Sequence, residues 1–153
     1  MSAVHHDDQP EVQRVLFLCT HNSSRSQMAE GFLRARGGSR YAAFSAGTRP
    51  GALHPLAVRA MAEVGIDISE QAGHRSKGLD AYAGQRFDLV VTVCDSAAEE
   101  CPFFPGARRQ EHWGFPDPSA ATGSEEQRLE AFRRVRDAIG ARIDAFLDAE
   151  RTD

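Results

Sequence analysis

The chain of 153 residues carries only three cysteines and one tryptophan. Three cysteines do not make the disulfide framework that staples small secreted domains. No segment approaches the roughly 20 apolar residues needed to span a bilayer. Neither sign of charge dominates: 18 Lys and Arg are interspersed with 22 Asp and Glu, for a net charge of -4. That balance excludes a nucleic-acid footprint. The N-terminal stretch MSAVHHDDQPEVQR has acidic residues and no apolar centre, so it does not read as a signal peptide. Residues 1–13 are expected to form a disordered tail, 14–150 a single catalytic domain, and the protein to be cytoplasmic.

What is present is an ordinary globular composition, 41% apolar and 26% charged. The length suffices for one compact domain with a real core. RVLFLC (14–19) reads as a buried first strand. SRSQMAEGFLRARGG follows with Met28, Phe32 and Leu33 at helical spacing, ended by Gly37–Gly38. YAAFSAG is strand-like. Pro55 opens a helix through LAVRAMAEVG, with Val58, Met61 and Ala62 on its apolar face. LDAYAGQR reads as a short helix, FDLVVTVC as a second buried strand ending on a cysteine, ARRQEHW as a last short strand, and GFPDPSAATG as loop. Ser124 and Gln127 form a capping-box pattern ahead of a long helix. Its inner face carries Leu129, Phe132, Arg136, Ile139, Ile143 and Phe146. There is no repeat. Strands alternating with helices predict one α/β domain with a mostly parallel sheet. Ligands of such sheets bind beyond the carboxyl ends of the strands, where Cys19 and Cys94 are expected.

Cys19 and Arg25 are separated by five residues, Thr20, His21, Asn22, Ser23 and Ser24. A loop this short, closing into a helix, turns successive backbone N–H groups inward and makes an anion nest. Arg25 adds a planar fork of donors that matches an oxyanion. The same field favours the thiolate of Cys19, which can attack the central atom of bound phosphate or arsenate. The hydroxyls of Ser23, Ser24 and Ser26 can donate to the loop, the anion or the thiolate. Asn22 is expected to hold the loop shape through side-chain bonds to backbone. His21 either tunes the thiolate or caps the outer surface. The bland alternative is a serine-rich turn with a surface arginine.

CTHNSSRS resembles the oxyanion loop of the low-molecular-weight protein tyrosine phosphatase fold. The longer run VLFLCTHNSSRSQMAEGFLR is more similar to the thioredoxin-coupled arsenate reductases of that fold. YAAFSAGT, HPLAVRAMAEVGIDIS, FDLVVTVCDSAAEECPFFPG and HWGFPDP extend the likeness from Val15 to the last helix. The resemblance implies a three-layer α/β/α fold on a four-stranded parallel sheet. It also implies arsenate as substrate, thioredoxin as electron donor, a monomer, no cofactor, and no nucleic-acid or membrane partner. His21 and Ser24 stand where many relatives have Gly and Cys.

Cys94 and Cys101 are seven apart. In a regular helix that spacing is about 10 Å along the axis, whereas a disulfide needs Cα atoms within about 7 Å. Bonding them requires a bent segment, which Pro102 and small Ser96, Ala97 and Ala98 favour. A metal site is the rival reading. It is weakened by the lack of a C-x2-C spacing, and none of the histidines shows ligand spacing. The resemblance implies a relay in which Cys19 attacks arsenate, Cys94 attacks Cys19, and Cys101 moves the disulfide outward.

Asp117 lies between two prolines in GFPDPS, which restrict the backbone and can hold a carboxylate over the cleft. In the resembling family this aspartate protonates the departing oxygen; its bland reading is a turn residue. Asn22, Glu30 and Ser45 resemble the ligands of a cation that braces the loop in some relatives. Lys77 aligns with the remaining ligand, so its ammonium is expected to replace the ion and pair with Glu30. Trp113, Phe103 and Phe104 read as core and lid packing.

Three classes stay open: the reductase, a phosphatase working through a Cys19 phosphoenzyme, and a non-catalytic binding protein. Ser119 after the Asp117–Pro118 pair offers no aromatic to hold a tyrosine ring, and a phosphatase has no use for Cys94 and Cys101.

Overall fold

The computed structural model describes residues 12–95, 99 and 101–151. Strand β1 (Gln13–Cys19) lies between β2 (Tyr41–Gly47) and β3 (Leu89–Thr92), and β4 (Gln110–His112) pairs with β3. All three pairings are parallel. The helices are α1 (Arg25–Gly37), α2 (Pro55–Ala62) and α3 (Glu125–Arg151). This is a three-layer α/β/α fold on a four-stranded parallel sheet.

The apolar run of β1 is buried on both faces, as a central parallel strand must be. Val15, Phe17 and Cys19 point into one core with Met28, Phe32, Met61, Leu129 and Ile139, so all three long helices share that face. Leu16 and Leu18 point into a smaller core with Phe87 and Phe104. The second layer is thin: the short 3₁₀ turn Leu79–Tyr82, expected as a helix, packs there through Leu79 and Tyr82.

The capping box forms. Ser124 Oγ accepts from Gln127 N at 3.1 Å, and Gln127 Oε1 accepts from Ser124 N at 2.8 Å. Mid-helix Gly140 has a packing reason: a Cβ there would come within 3.0 Å of the Phe32 ring. Arg136 is buried among the apolar residues of α3 because its guanidinium reaches the Ala60 carbonyl and Glu63.

Several boundaries differ from expectation. Val12 is exposed and Gln13 already pairs with Tyr41, so β1 starts one residue inside the expected tail; residues 1–11 lie outside the described residues. Helix α2 stops at Ala62 rather than running to Gly65. Val64 and Gly65 make tighter bonds to Met61 and Ala62, and Gly65 takes φ 81, a left-handed ending that glycine permits. Ala62 is exposed; the buried face is Leu56, Ala57, Ala60 and Met61. Strand β3 ends at Thr92, two residues before Cys94. Phe103 is 75% exposed and so not part of a packed lid, while Trp113 is core, stacked near Phe17 and Phe146.

Candidate active site

The loop between β1 and α1 is shaped by where its carbonyls go. Those of Cys19, Thr20, His21 and Ser23 accept from the backbone N–H groups of Thr48, Arg49, Gly51 and His54. A planar trans peptide points C=O and the next N–H in opposite directions. Bonding these carbonyls toward 48–54 therefore turns the following amides the other way, into the loop. Gly47 makes the approach possible, since a Cβ there would lie 2.5 Å from Thr20 O and 2.8 Å from Asn22 N.

Asn22 takes φ 52, a left-handed conformation that asparagine tolerates. Both polar atoms of its side chain are engaged. Oδ1 accepts from Lys77 N at 2.8 Å and Gln27 Nε2 at 3.0 Å; Nδ2 donates to Ser26 Oγ at 2.7 Å. Ser26 Oγ is in turn 2.9 Å from the buried, free Cys19 sulfur. Ser24, the N-cap of α1, has its hydroxyl buried without any hydrogen-bond partner among the described residues. An orphaned hydroxyl at a helix N-terminus, beside inward amides, is suited to an anion. His21 faces outward, with Nδ1 3.0 Å from the Arg49 carbonyl. Ser23 is half-buried and contributes its carbonyl to His54 N.

Arg25 is 3% exposed. Its two terminal nitrogens each donate to one Glu99 oxygen at 2.7 Å, and one also reaches the Phe115 carbonyl at 3.1 Å. Asp117 Oδ2 stands 3.8 Å away. Burial works against the guanidinium charge, but Glu99, Cys19 and Asp117 outweigh it, so the pKa of Arg25 is raised. The same contact holds the Glu99 carboxyl at about 2. Asp117 is braced by Ser119, whose N–H and hydroxyl both donate to Oδ1, at 3.0 and 2.7 Å.

Cys94 follows Val93, whose N–H donates to Leu18 O at 2.8 Å. It therefore stands near the end of β1, and it shares one buried core with Cys19. Cys94 is bonded to Cys101 with Cα atoms 6.0 Å apart, closer than seven residues of regular helix would bring them. Ser96, Ala97 and Ala98 lie outside the described residues. His112 comes within 4.8 Å of both sulfurs, a cluster invisible in the sequence spacing. Its Nδ1 is 2.7 Å from Thr92 Oγ1. Two thiolates and an imidazole can hold a thiophilic cation after reduction, one ligand short of a closed structural zinc site.

The cation-like cluster differs from expectation. Glu30 is buried. It accepts from Ser45 Oγ, pairs with Arg34 at 2.7 Å, and has His74 Nδ1 at 3.9 Å. The Lys77 ammonium instead donates to the Arg75 carbonyl at 2.7 Å. Arg34, one helical turn along from Glu30, reaches the carboxylate more directly than a lysine on the opposite loop. Lys77 joins the site through its backbone N–H. His74 donates from Nδ1 to Gln27 Oε1 at 2.9 Å, because the Gln27 amide nitrogen is committed to Asn22 and Arg75. Burial lowers its pKa and favours the neutral ring.

Residues 14–153 match the family described as low molecular weight phosphotyrosine protein phosphatase. The chain is 48% identical over 134 residues to the arsenate reductases of Bacillus subtilis (strain 168) and Halalkalibacterium halodurans, covering 88% of this chain and 94% of each relative. It belongs to the arsenate reductase family built on the low-molecular-weight phosphatase fold. A solved arsenate reductase in the phosphate binding state aligns with TM-score 0.72 and 31% identity, over 90% of this chain and 98% of that one. A thioredoxin-dependent arsenate reductase of Corynebacterium glutamicum aligns with TM-score 0.67 and 25% identity, over 99% of this chain and 68% of that one. No helix among the described residues is long and apolar enough to cross a membrane.

Proposed function

We propose that this protein reduces arsenate to arsenite through Cys19, Cys94 and Cys101, with a thioredoxin-type dithiol protein as electron donor. The observation that carries the reading is the thiol inventory: a free Cys19 at the anion loop, and a Cys94–Cys101 disulfide that starts just past the end of the adjoining strand β3. A phosphatase needs the first and has no use for the second.

Arsenate binds to the loop amides, the Ser24 hydroxyl and the Arg25 fork. The Cys19 thiolate attacks arsenic, and Asp117 protonates the oxygen that leaves as water. Cys94 thiolate then attacks Cys19 sulfur. The S–S bond forms as the S–As bond breaks, the electron pair goes to arsenic, and arsenite departs. Cys101 thiolate attacks Cys94 sulfur and returns Cys19 as thiolate. The arrangement described above, with Cys19 free and the other two bonded, corresponds to the end of this sequence. Cys94 is fully buried and Cys101 partly exposed. The last transfer therefore moves a reducible sulfur toward a partner protein.

The test is arsenite release by the reduced protein, with and without thioredoxin, thioredoxin reductase and NADPH. One arsenite per protein without the system, and sustained turnover with it, is the expected result. Hydrolysis of an aryl phosphate with no arsenite formed would favour the phosphatase.

A further inference from the structure

Glu99 is not among the residues that the reduction requires, yet it holds both terminal nitrogens of the Arg25 guanidinium. Its two oxygens sit on the two terminal nitrogens of Arg25 at 2.7 Å each. The Thr20 hydroxyl, at the mouth of the anion loop, donates to Oε2 at 3.2 Å, and the Asp95 N–H donates to Oε1 at 2.9 Å. A carboxylate and a tetrahedral oxyanion present the same pair of oxygens to a guanidinium, and the Nη1–Nη2 edge that Glu99 holds serves one of them at a time. Glu99 also lies in the chain between Cys94 and Cys101, which are bonded to each other.

We propose that in the Cys94–Cys101 disulfide state Glu99 is an internal occupant of the oxyanion seat, so that substrate binding at Arg25 is coupled to the redox state of the two other cysteines. This rests on the reading of the Cys19–Arg25 loop as the oxyanion site. The coupling has a chemical purpose. Cys19 is a free thiol in the disulfide state and could still attack arsenate. No thiol would be available to release the adduct, because Cys94 is already bonded. A carboxylate on the Arg25 fork keeps the oxyanion out until the dithiol is restored.

Coupling of this kind is reciprocal. If the disulfide weakens oxyanion binding by some factor, a bound oxyanion makes the disulfide easier to reduce by the same factor. The experiment uses inorganic phosphate, which binds like arsenate but is not reduced. Phosphate affinity is measured by calorimetry for the disulfide and the dithiol forms of the parent, Glu99→Gln and Glu99→Ala. The dithiol parent is expected to bind phosphate at least about tenfold more tightly than the disulfide parent. Both variants should abolish the difference by raising the affinity of the disulfide form. Saturating phosphate should raise the reduction potential of the parent disulfide by about 30 mV for a tenfold coupling, and not that of the variants.

Equal phosphate affinity of the two parent forms overturns the proposal while leaving the oxyanion loop standing. So does a Glu99 variant in which the disulfide form binds no better than the parent. Failure of the dithiol parent to bind phosphate at all overturns the loop reading, and the proposal with it. Glu99→Ala guards against a residual amide contact from glutamine, and thermal midpoints of both variants check that they fold.

Discussion

The Ser26 hydroxyl lies 2.9 Å from the Cys19 sulfur, and Ser26 Oγ already accepts from Asn22 Nδ2 at 2.7 Å. With that lone pair occupied by the amide, the hydroxyl hydrogen is free to point at a thiolate. A hydrogen bond to a charged group is worth about 1.5–3 kcal/mol. Ser26→Ala is therefore expected to slow alkylation of Cys19 by iodoacetamide near neutral pH by about tenfold or more. An unchanged rate would mean that the hydroxyl only fills space.

Replacing Cys101 separates the last transfer from the chemistry before it. Cys101→Ser should release about one arsenite per protein, since Cys19 and Cys94 suffice for a single reduction. It should then stop, with the oxidising equivalent held between Cys19 and Cys94. Normal multiple turnover of this variant with a thioredoxin system would end the three-thiol scheme.

Asp117 stands 3.8 Å from Arg25, pinned by two bonds from Ser119. Asp117→Asn keeps the size and loses the proton, so the maximal rate should drop about 10²–10⁴-fold with little change in phosphate affinity. A rate within a factor of about two of the parent would reduce Asp117 to a turn residue.

Glu30 depends on Ser45 and Arg34, not on Lys77. Lys77→Ala is accordingly expected to cost under about 1 kcal/mol, because its half-buried ammonium bonds the Arg75 carbonyl and not the Glu30 carboxylate. Ser45→Ala removes a donor from a buried carboxylate and should cost about 1–3 kcal/mol. Chemical denaturation of both variants measures this, and the reverse order would restore Lys77 as the brace.

The acid limb of stability is expected to report Glu63. Hydrogen bonds from Arg133 and Arg136 hold its carboxyl at about 2, below the ordinary 4.5. A depressed folded-state pKa contributes stability that is complete above the unfolded value and lost as pH falls toward the folded one. The thermal midpoint of the parent should therefore fall more steeply than that of Glu63→Gln between about pH 5 and about pH 2.5. Parallel curves would show that the cluster adds nothing.

The parts of the site that lie close together in the chain were legible before any coordinates. A strand, a loop and a helix start within thirteen residues bring Cys19, Asn22, Ser26 and Arg25 together by local geometry alone. The long helix was equally plain, because its apolar period and capping box are local. Likeness to a known family supplied the relay roles, which composition and spacing did not.

Other features needed the fold. Glu99 meets Arg25 across 74 residues, and no pattern in DSAAEECP marks it as the guanidinium's partner. His112 reaches the sulfurs of Cys94 and Cys101 because β4 lies alongside β3. Arg34 rather than Lys77 neutralises Glu30, since both occupy one helix face a turn apart. The sequence by itself determined the sheet, the anion loop and its nucleophile, because backbone periodicity and loop closure act over a few residues. Only the tertiary structure decided which charge sits on which, because electrostatic partners are chosen by distance in space, and strand order sets that distance.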